Sequence, residues 1–348
     1  MRPMIVRWTA ALALCASAGA ASAQLGTATP AGSTATAAPL AVWQSPLAAL
    51  PIVEKIRVPA GPAWLATGFG SVWVSKSESK QVLRIDPLSN RVIASIPVGS
   101  DPELGIGIGL GSVWVADTKD HSITQIDPRK NRVVRVIAAD IAEDPEGSIG
   151  VGEGSLWFLT NGNGGDSGVL ARLDPVSGKV VAHIPVRPKS HAVIVALGSV
   201  WVTSSGDGVV TRIDPSTNRV TAQIAVHPSP RFMAAGFGSI WVLTQGDGSL
   251  ARIDARTNRV LATIDLGVPG EGGDLSIAEG FVWVSAEGVP LSQVDPQSNE
   301  LVRQFVGGRK DDTLRIGFGA AWIVDEDNGE IWRVDLKKLA ASPASQRR

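Results

Sequence analysis

Apolar and polar residues alternate along most of this chain in runs of four to seven positions, separated by short polar turns. In the stretch from Trp64 to Val98, "WLATG", "VWVS", "QVLRI" and "VIASIPV" are rich in Val, Ile, Leu and Trp. β-branched and aromatic runs of this length, bounded by Gly, Pro, Asp, Asn and Ser, read as strands. The pattern predicts four of them: a at Trp64–Gly68, b at Val72–Ser75, c at Gln81–Ile85 and d at Val92–Val98.

The same four-strand unit then returns. Aligned on the tryptophan of strand b, it recurs at Trp73, Trp114, Trp157, Trp201, Trp241, Trp283 and Trp322, at intervals of 39–44 residues. A glycine stands three places before each: Gly70, Gly111, Gly154, Gly198, Gly238, Gly280 and Gly319. A second block follows, such as "RIDPLSNRV" from Arg84 and "RIDPSTNRV" from Arg212. Asp suits the first position of a turn and Pro presets φ at the second. The Asn falls where a hairpin loop needs positive φ, and the third copy puts Gly178 there instead.

Four strands repeated at this period predict an all-β, seven-bladed β-propeller. The seventh unit stops at "RVDLKKL", without a strand d. The segment from Val53, "VEKIRVPAGPAW", aligns with "VIASIPVGSDPEL" from Val92. Ile52–Val58 is therefore expected to pair with strand c of the last unit and close the ring, which removes an exposed edge. In that ring Gly70 makes the a–b turn, Val72 and Val74 face one side of the blade, and Trp73 packs against a neighbour. The propeller is expected over residues 51–338, with a flexible tail over 339–348.

The first residues follow another pattern. Arg2 and Arg7 precede an apolar run from Trp8 to Ala21, and "ASAQ" offers cleavage after Ala23. This reads as a secretory signal peptide over residues 1–23. Residues 24–50 have the Ala, Thr, Pro, Gly and Ser composition of a disordered linker, with Trp43 the one group expected to dock. The expected location is periplasmic or secreted. No later segment is apolar for long enough to span a membrane.

Composition narrows the chemistry. The 348 residues include a single cysteine, Cys15, inside the leader, so no thiol chemistry is expected of the mature chain. The net charge is −1 and there is no basic stripe along the sequence, so a nucleic-acid partner is not expected. "GIGIGLG" from Gly105 lacks the third glycine and the following helix of a dinucleotide site, and reads as a strand a with its turn.

The units resemble the YVTN/YncE-like bacterial repeat propellers and the streptogramin (virginiamycin B) lyase family. "GSVWV" followed by "RIDPxxNRV" carries the likeness, over roughly residues 52–338. The resemblance implies an envelope location and ligand binding at one face. In the lyase branch it implies a metal-assisted elimination needing two histidines with nearby glutamates.

Any site is expected at the mouth formed by the d–a connections and b–c loops, where the copies stop agreeing. There the sequence offers Glu103, Glu146, His191, Arg231, Glu271, Asp274, Asp312 and Arg315 as ligand-binding candidates, with His191 and Glu271 as candidate catalytic groups. A carboxylate-rich funnel of this kind could hold Mg²⁺ or Ca²⁺. The paired-histidine requirement is not met, because Arg231 stands where a second histidine would be. Trp64 and Phe232 occupy the same position on units one and five. The expected function is binding or scaffolding of a small molecule, peptide or protein by a monomer. The alternative is a metal-assisted lyase or hydrolase at the same mouth.

Overall fold

A computed structural model describes residues 40–341 except 59–60, 77–78, 101, 103–104, 143–148, 162–167, 271 and 309–312. Seven antiparallel sheets, each with the four strands a–d, are arranged as the blades of a propeller. In blade 1 the strands are Leu65–Gly68, Ser71–Lys76, Gln81–Asp86 and Arg91–Pro97. Ile52–Arg57 pairs antiparallel with Glu330–Asp335, so the last blade is completed by the first part of the chain as expected. Two structural features lie outside the expected boundaries. Gln44–Pro46, within the segment read as linker, adds a fifth, parallel strand to strand d of blade 6, Glu300–Val306. A short helix, Leu336–Ala341, buries Leu336 and Leu339 where the tail was expected to begin. Trp43 accepts a hydrogen bond from Gln304 N–H at its carbonyl, but the residue stays 39% exposed.

Each a–b hairpin turns on two residues, not on the glycine alone. Phe69 and Gly70 both have positive φ, at 51° and 71°, and the other six copies repeat the pair. Two successive positive φ angles define the type I′ turn, whose twist matches that of the strands. The Asn of the Asp-Pro turns, and of the Asp-Ala turn in unit five, also has positive φ, from 50° to 58°, and Gly178 replaces it at 69°.

The tryptophans hold blade to blade. Trp73 is fully buried in one cluster with Val113 and Val115 of blade 2, while Val72 and Val74 pack with Trp322 of blade 7. Each indole Nε1–H donates to the strand-a carbonyl five residues earlier, at 3.0–3.2 Å in all seven copies. The indole is thus buried with its one polar atom satisfied.

In units one, three, four and five, the arginine two places before the turn aspartate forms a second inter-blade tie. Arg84 lies 5.1 Å over the Trp73 ring and donates to Ser71 Oγ at 2.7 Å. It then reaches blade 2, donating to Pro128 O and to Asn131 Oδ1 at 2.8 Å. Arg172, Arg212 and Arg252 repeat this on the next blades. Units two and six carry Gln125 and Gln293 instead. There the cross-strand partner, alanine at Ala94, Ala182, Ala222 and Ala262, is replaced by Arg135 and Arg303. Arg135 donates to Val176 O at 3.0 Å and Arg303 to Leu339 O at 2.6 Å. The guanidinium moves to the next strand and still meets the following blade.

Glycines in strand a let neighbouring inner strands approach. A Cβ on Gly107 or Gly109 would overlap Val151 of blade 3. The glycine run from Gly105 is therefore inner-strand spacing, as the absence of a dinucleotide motif implied.

Candidate functional site

The inner strands of blades 4 and 5 are longer than the others. Ser190–Ala196 and Pro230–Gly236 have seven residues each, where blades 1, 2, 3 and 7 have four. In both, the register slips by one residue near the mouth: Ser190 pairs with Ser204 but Val193 with Val202, and Pro230 with Thr244 but Met233 with Val242. These are β-bulges, which re-aim side chains and recur near functional sites. His191 and Arg231 sit in equivalent places within them. Thr203 Oγ1 ties the two bulges together, accepting from Ala192 N–H at 3.0 Å and donating to Arg231 O at 2.7 Å.

From this frame a continuous line of side chains crosses the channel. Asp274, at the start of strand a in blade 6, is 3% exposed. Its carboxylate accepts from the backbone N–H groups of Leu275 at 2.8 Å and Leu314 at 3.3 Å, and pairs with Arg315 of blade 7. Arg315 lies 5.3 Å over the ring of Trp64 in blade 1. Trp64 meets Phe232 of blade 5 at 5.9 Å between ring centroids. Phe232 in turn takes His191 of blade 4 edge-on at 5.5 Å. Ile106 and Ile149 of blades 2 and 3 complete the wall of a cavity of about 110 Å³, to which every blade contributes.

The electrostatics of the two ends differ. Burial pushes the Asp274 carboxyl up, while Arg315 and the two amides pull it back down. His191 has both ring nitrogens buried and without a hydrogen-bond partner. Burial first, and the charge of Arg231 second, push its pKa down to about 3. It is a neutral imidazole at ordinary pH.

Arg231 itself points elsewhere. It lines a separate, more open cavity of about 280 Å³ with Ser205, Ser229 and Gln245, between the loops of blades 4 and 5. Of the expected site residues, the structure therefore joins Asp274, Arg315 and, through Phe232, His191. Glu103, Glu146, Glu271 and Asp312 lie outside the described residues.

Several of the described mouth acids have local partners. Asp207 pairs with Arg187 at 3.4 Å, Asp247 with His227, and Asp120 takes Ser100 N–H at 2.8 Å. Among the described residues no three His, Cys, Asp or Glu side chains stand close enough to share a metal ion. The described part of the site offers one unpartnered imidazole and a carboxylate already held by Arg315 and two amides, while the carboxylates of Glu103, Glu146, Glu271 and Asp312 lie outside the described residues. Sequence reading placed Trp64 and Phe232 at the same position, on units one and five, but did not join them.

The fold and site together define a seven-bladed propeller with an aromatic and ion-paired bar across its channel. Among solved structures, a streptogramin B lyase is similar with a TM-score of 0.65 at 15% identity, covering 81% of this chain and 96% of that one. The hydrazine synthase of Kuenenia stuttgartiensis is similar with a TM-score of 0.67 at 12% identity, covering 79% and 96%. No family model matches the chain, and no curated protein matches it. Likeness at this level of identity shows the fold alone.

Proposed function

We propose that the protein is a binding propeller of the bacterial envelope, secreted or periplasmic and allied to the YVTN/YncE-like repeat propellers. It holds a small molecule bearing both a flat apolar part and polar groups at the channel mouth. One observation carries this reading: a cavity built from all seven blades, with the Asp274–Arg315 pair at one side and the Trp64 and Phe232 rings beside it. Nine of the eleven residues lining the cavity have apolar or aromatic side chains or none, with Asp274 and Arg315 the polar pair, and at about 110 Å³ it suits a small ligand. The N-terminal apolar run ending in "ASAQ" supports export, and the mature protein is expected to begin at Gln24 by intact mass.

A thermal-shift screen of small aromatic and heterocyclic compounds tests the site. Hits are expected to stabilise the wild-type protein and to lose their effect in Trp64→Ala. Hits that act equally on Trp64→Ala would move the site away from the channel. The competing reading, a metal-assisted lyase or hydrolase at the same mouth, draws on the likeness of fold to streptogramin B lyase. Turnover of streptogramin B that disappears in His191→Ala would replace binding with catalysis.

A further inference from the structure

We propose that the face opposite the mouth docks on an anionic lipid surface. The a–b and c–d turns lie together on this face: Arg84 of a c strand donates to Phe69 O of an a–b turn at 3.2 Å, and Ala255 N–H to Gly238 O at 3.2 Å. The ring of blades repeats the arrangement around the channel.

The first residue of each type I′ turn is anomalous. It has φ of 50–57° and is exposed, a position that suits Asn, Asp or Gly. Five of the seven copies instead carry Phe69, Leu110, Leu197, Phe237 and Phe318, each 41–48% exposed. A bulky apolar side chain there is disfavoured by its backbone and by water, and it packs no core. Leu88 and Val176, on Asp-Pro turns of the same face, are 91% and 85% exposed. Scattered apolar residues on a surface need no explanation, but a ring of them at one repeated position does.

Charge chooses the occupant. The same turns carry exposed Arg91, Arg129, Lys130, Arg132, Arg256 and Arg259. The acids that begin the turns stay charged, since Asp86, Asp127 and Asp254 each accept from a backbone N–H at 2.8–3.0 Å, which lowers their pKa, and the positive excess of the face comes from the inter-blade arginines Arg84, Arg172, Arg212 and Arg252 beside these turns. Of the seven a–b copies, only Glu153 and Glu279 break the apolar ring. Among the described residues the mouth leans the other way, with nine carboxylates in its loops, among them Asp117, Asp120, Asp207, Asp247 and Asp325, against six cations, Lys76, Lys80, Lys119, Arg187, Lys189 and Arg231. The chain's near-zero net charge thus conceals a basic, apolar-studded face and an acidic one. Apolar side chains able to enter the headgroup region, ringed by cations, match an anionic bilayer and leave the mouth turned to solvent.

Sedimentation with vesicles tests this in the full-length mature protein. Binding is expected to vesicles of mixed phosphatidylglycerol and phosphatidylcholine at low salt, to fall as salt rises, and to be weak with phosphatidylcholine alone. The variant F69N/F237N/F318N is expected to bind about tenfold less. It should melt at the same temperature or higher, since Asn suits these φ angles. A second variant, R129Q/K130Q/R256Q, should bind less and with a flatter salt dependence. Equal binding to both vesicle types, unchanged binding by the Asn variant, or no binding of the wild type at low salt would each overturn the proposal. So would concentration-dependent dimerisation that the Asn variant abolishes in the absence of vesicle binding, which would assign the face to a second copy of the chain.

Discussion

The two faces of this propeller obey different rules. On the turn face, the copies agree almost residue for residue, and each conserved-looking position has a contact that repeats. The indole bonds its own strand a, the arginine bonds the next blade's turn, and the left-handed residues make the turns. At the mouth most blades offer different side chains, the exceptions being Asp-Pro-Glu before blades 2 and 3 and Gly-Asp-Gly in blades 4 and 5. Two of them depart from the shared backbone as well, through the bulges that hold His191 and Arg231. Repetition there would serve nothing, because a single ligand has no sevenfold symmetry. A repeat protein can vary one face freely only because the other carries the blade-to-blade cohesion.

Four measurements would break or sharpen that contrast. Trp241→Ala on the cohesive side empties a fully buried site between blades 5 and 6 and should cost about 4 kcal/mol in denaturant unfolding. A loss below about 1 kcal/mol would mean the tryptophans are not the inter-blade core. Asp274→Asn at the mouth leaves Arg315 without its charge partner and should cost about 3 kcal/mol. A stabilised Asn variant would instead mark the pair as retained for binding at the expense of stability, which is a sharper version of the same contrast.

The third measurement is acid titration of stability. His191 is held neutral with its pKa lowered from 6.5 to about 3, so the unfolded chain takes up the proton first as pH falls. The stability it contributes is whole above about pH 6.5. It is lost toward pH 3 at about 1.4 kcal/mol per pH unit for this group. His191→Met should flatten that limb, and an unaltered slope would show that the imidazole is hydrated and not buried.

The smallest effect concerns the arginine tie. Arg212→Gln should cost about 1.5 kcal/mol. The pair R212Q/A222R, copying the arrangement of Gln125 with Arg135, should recover about half of that loss. If the second change adds nothing, the exchange between strands c and d is a coincidence of two units.

Much of the architecture was legible in the sequence because it is written seven times. Gly70 and Trp73 counted the blades, and Val53 onward revealed the closing strand. The type I′ geometry was half legible: the glycine signalled it, but Phe69 at the preceding position concealed it, since apolar bulk is not a turn signal. The strand from Gln44 to Pro46 was hidden in a segment of linker composition. Its trace lay in blade 6, where Leu301 and Gln304 are buried although the other d strands leave the matching positions more exposed. The exchange of Arg84 with Ala94 for Gln125 with Arg135 was present in the letters, yet had no meaning until strands c and d were in register.

At the mouth, Asp274, Arg315 and His191 could be nominated from their place before the tryptophans, but not joined. Local periodicity and turn chemistry act over a few residues, so the sequence by itself determined the strands, the turns and the number of blades. The convergence of Trp64 with Phe232, and of Asp274 with Arg315, depends on where the inner strands of separate blades meet around the channel. So does the separation of a basic, apolar face from an acidic one. Those are distances across the ring, between residues 41 to 168 places apart in the chain, and only closure of the seven blades brings such groups within reach of one another.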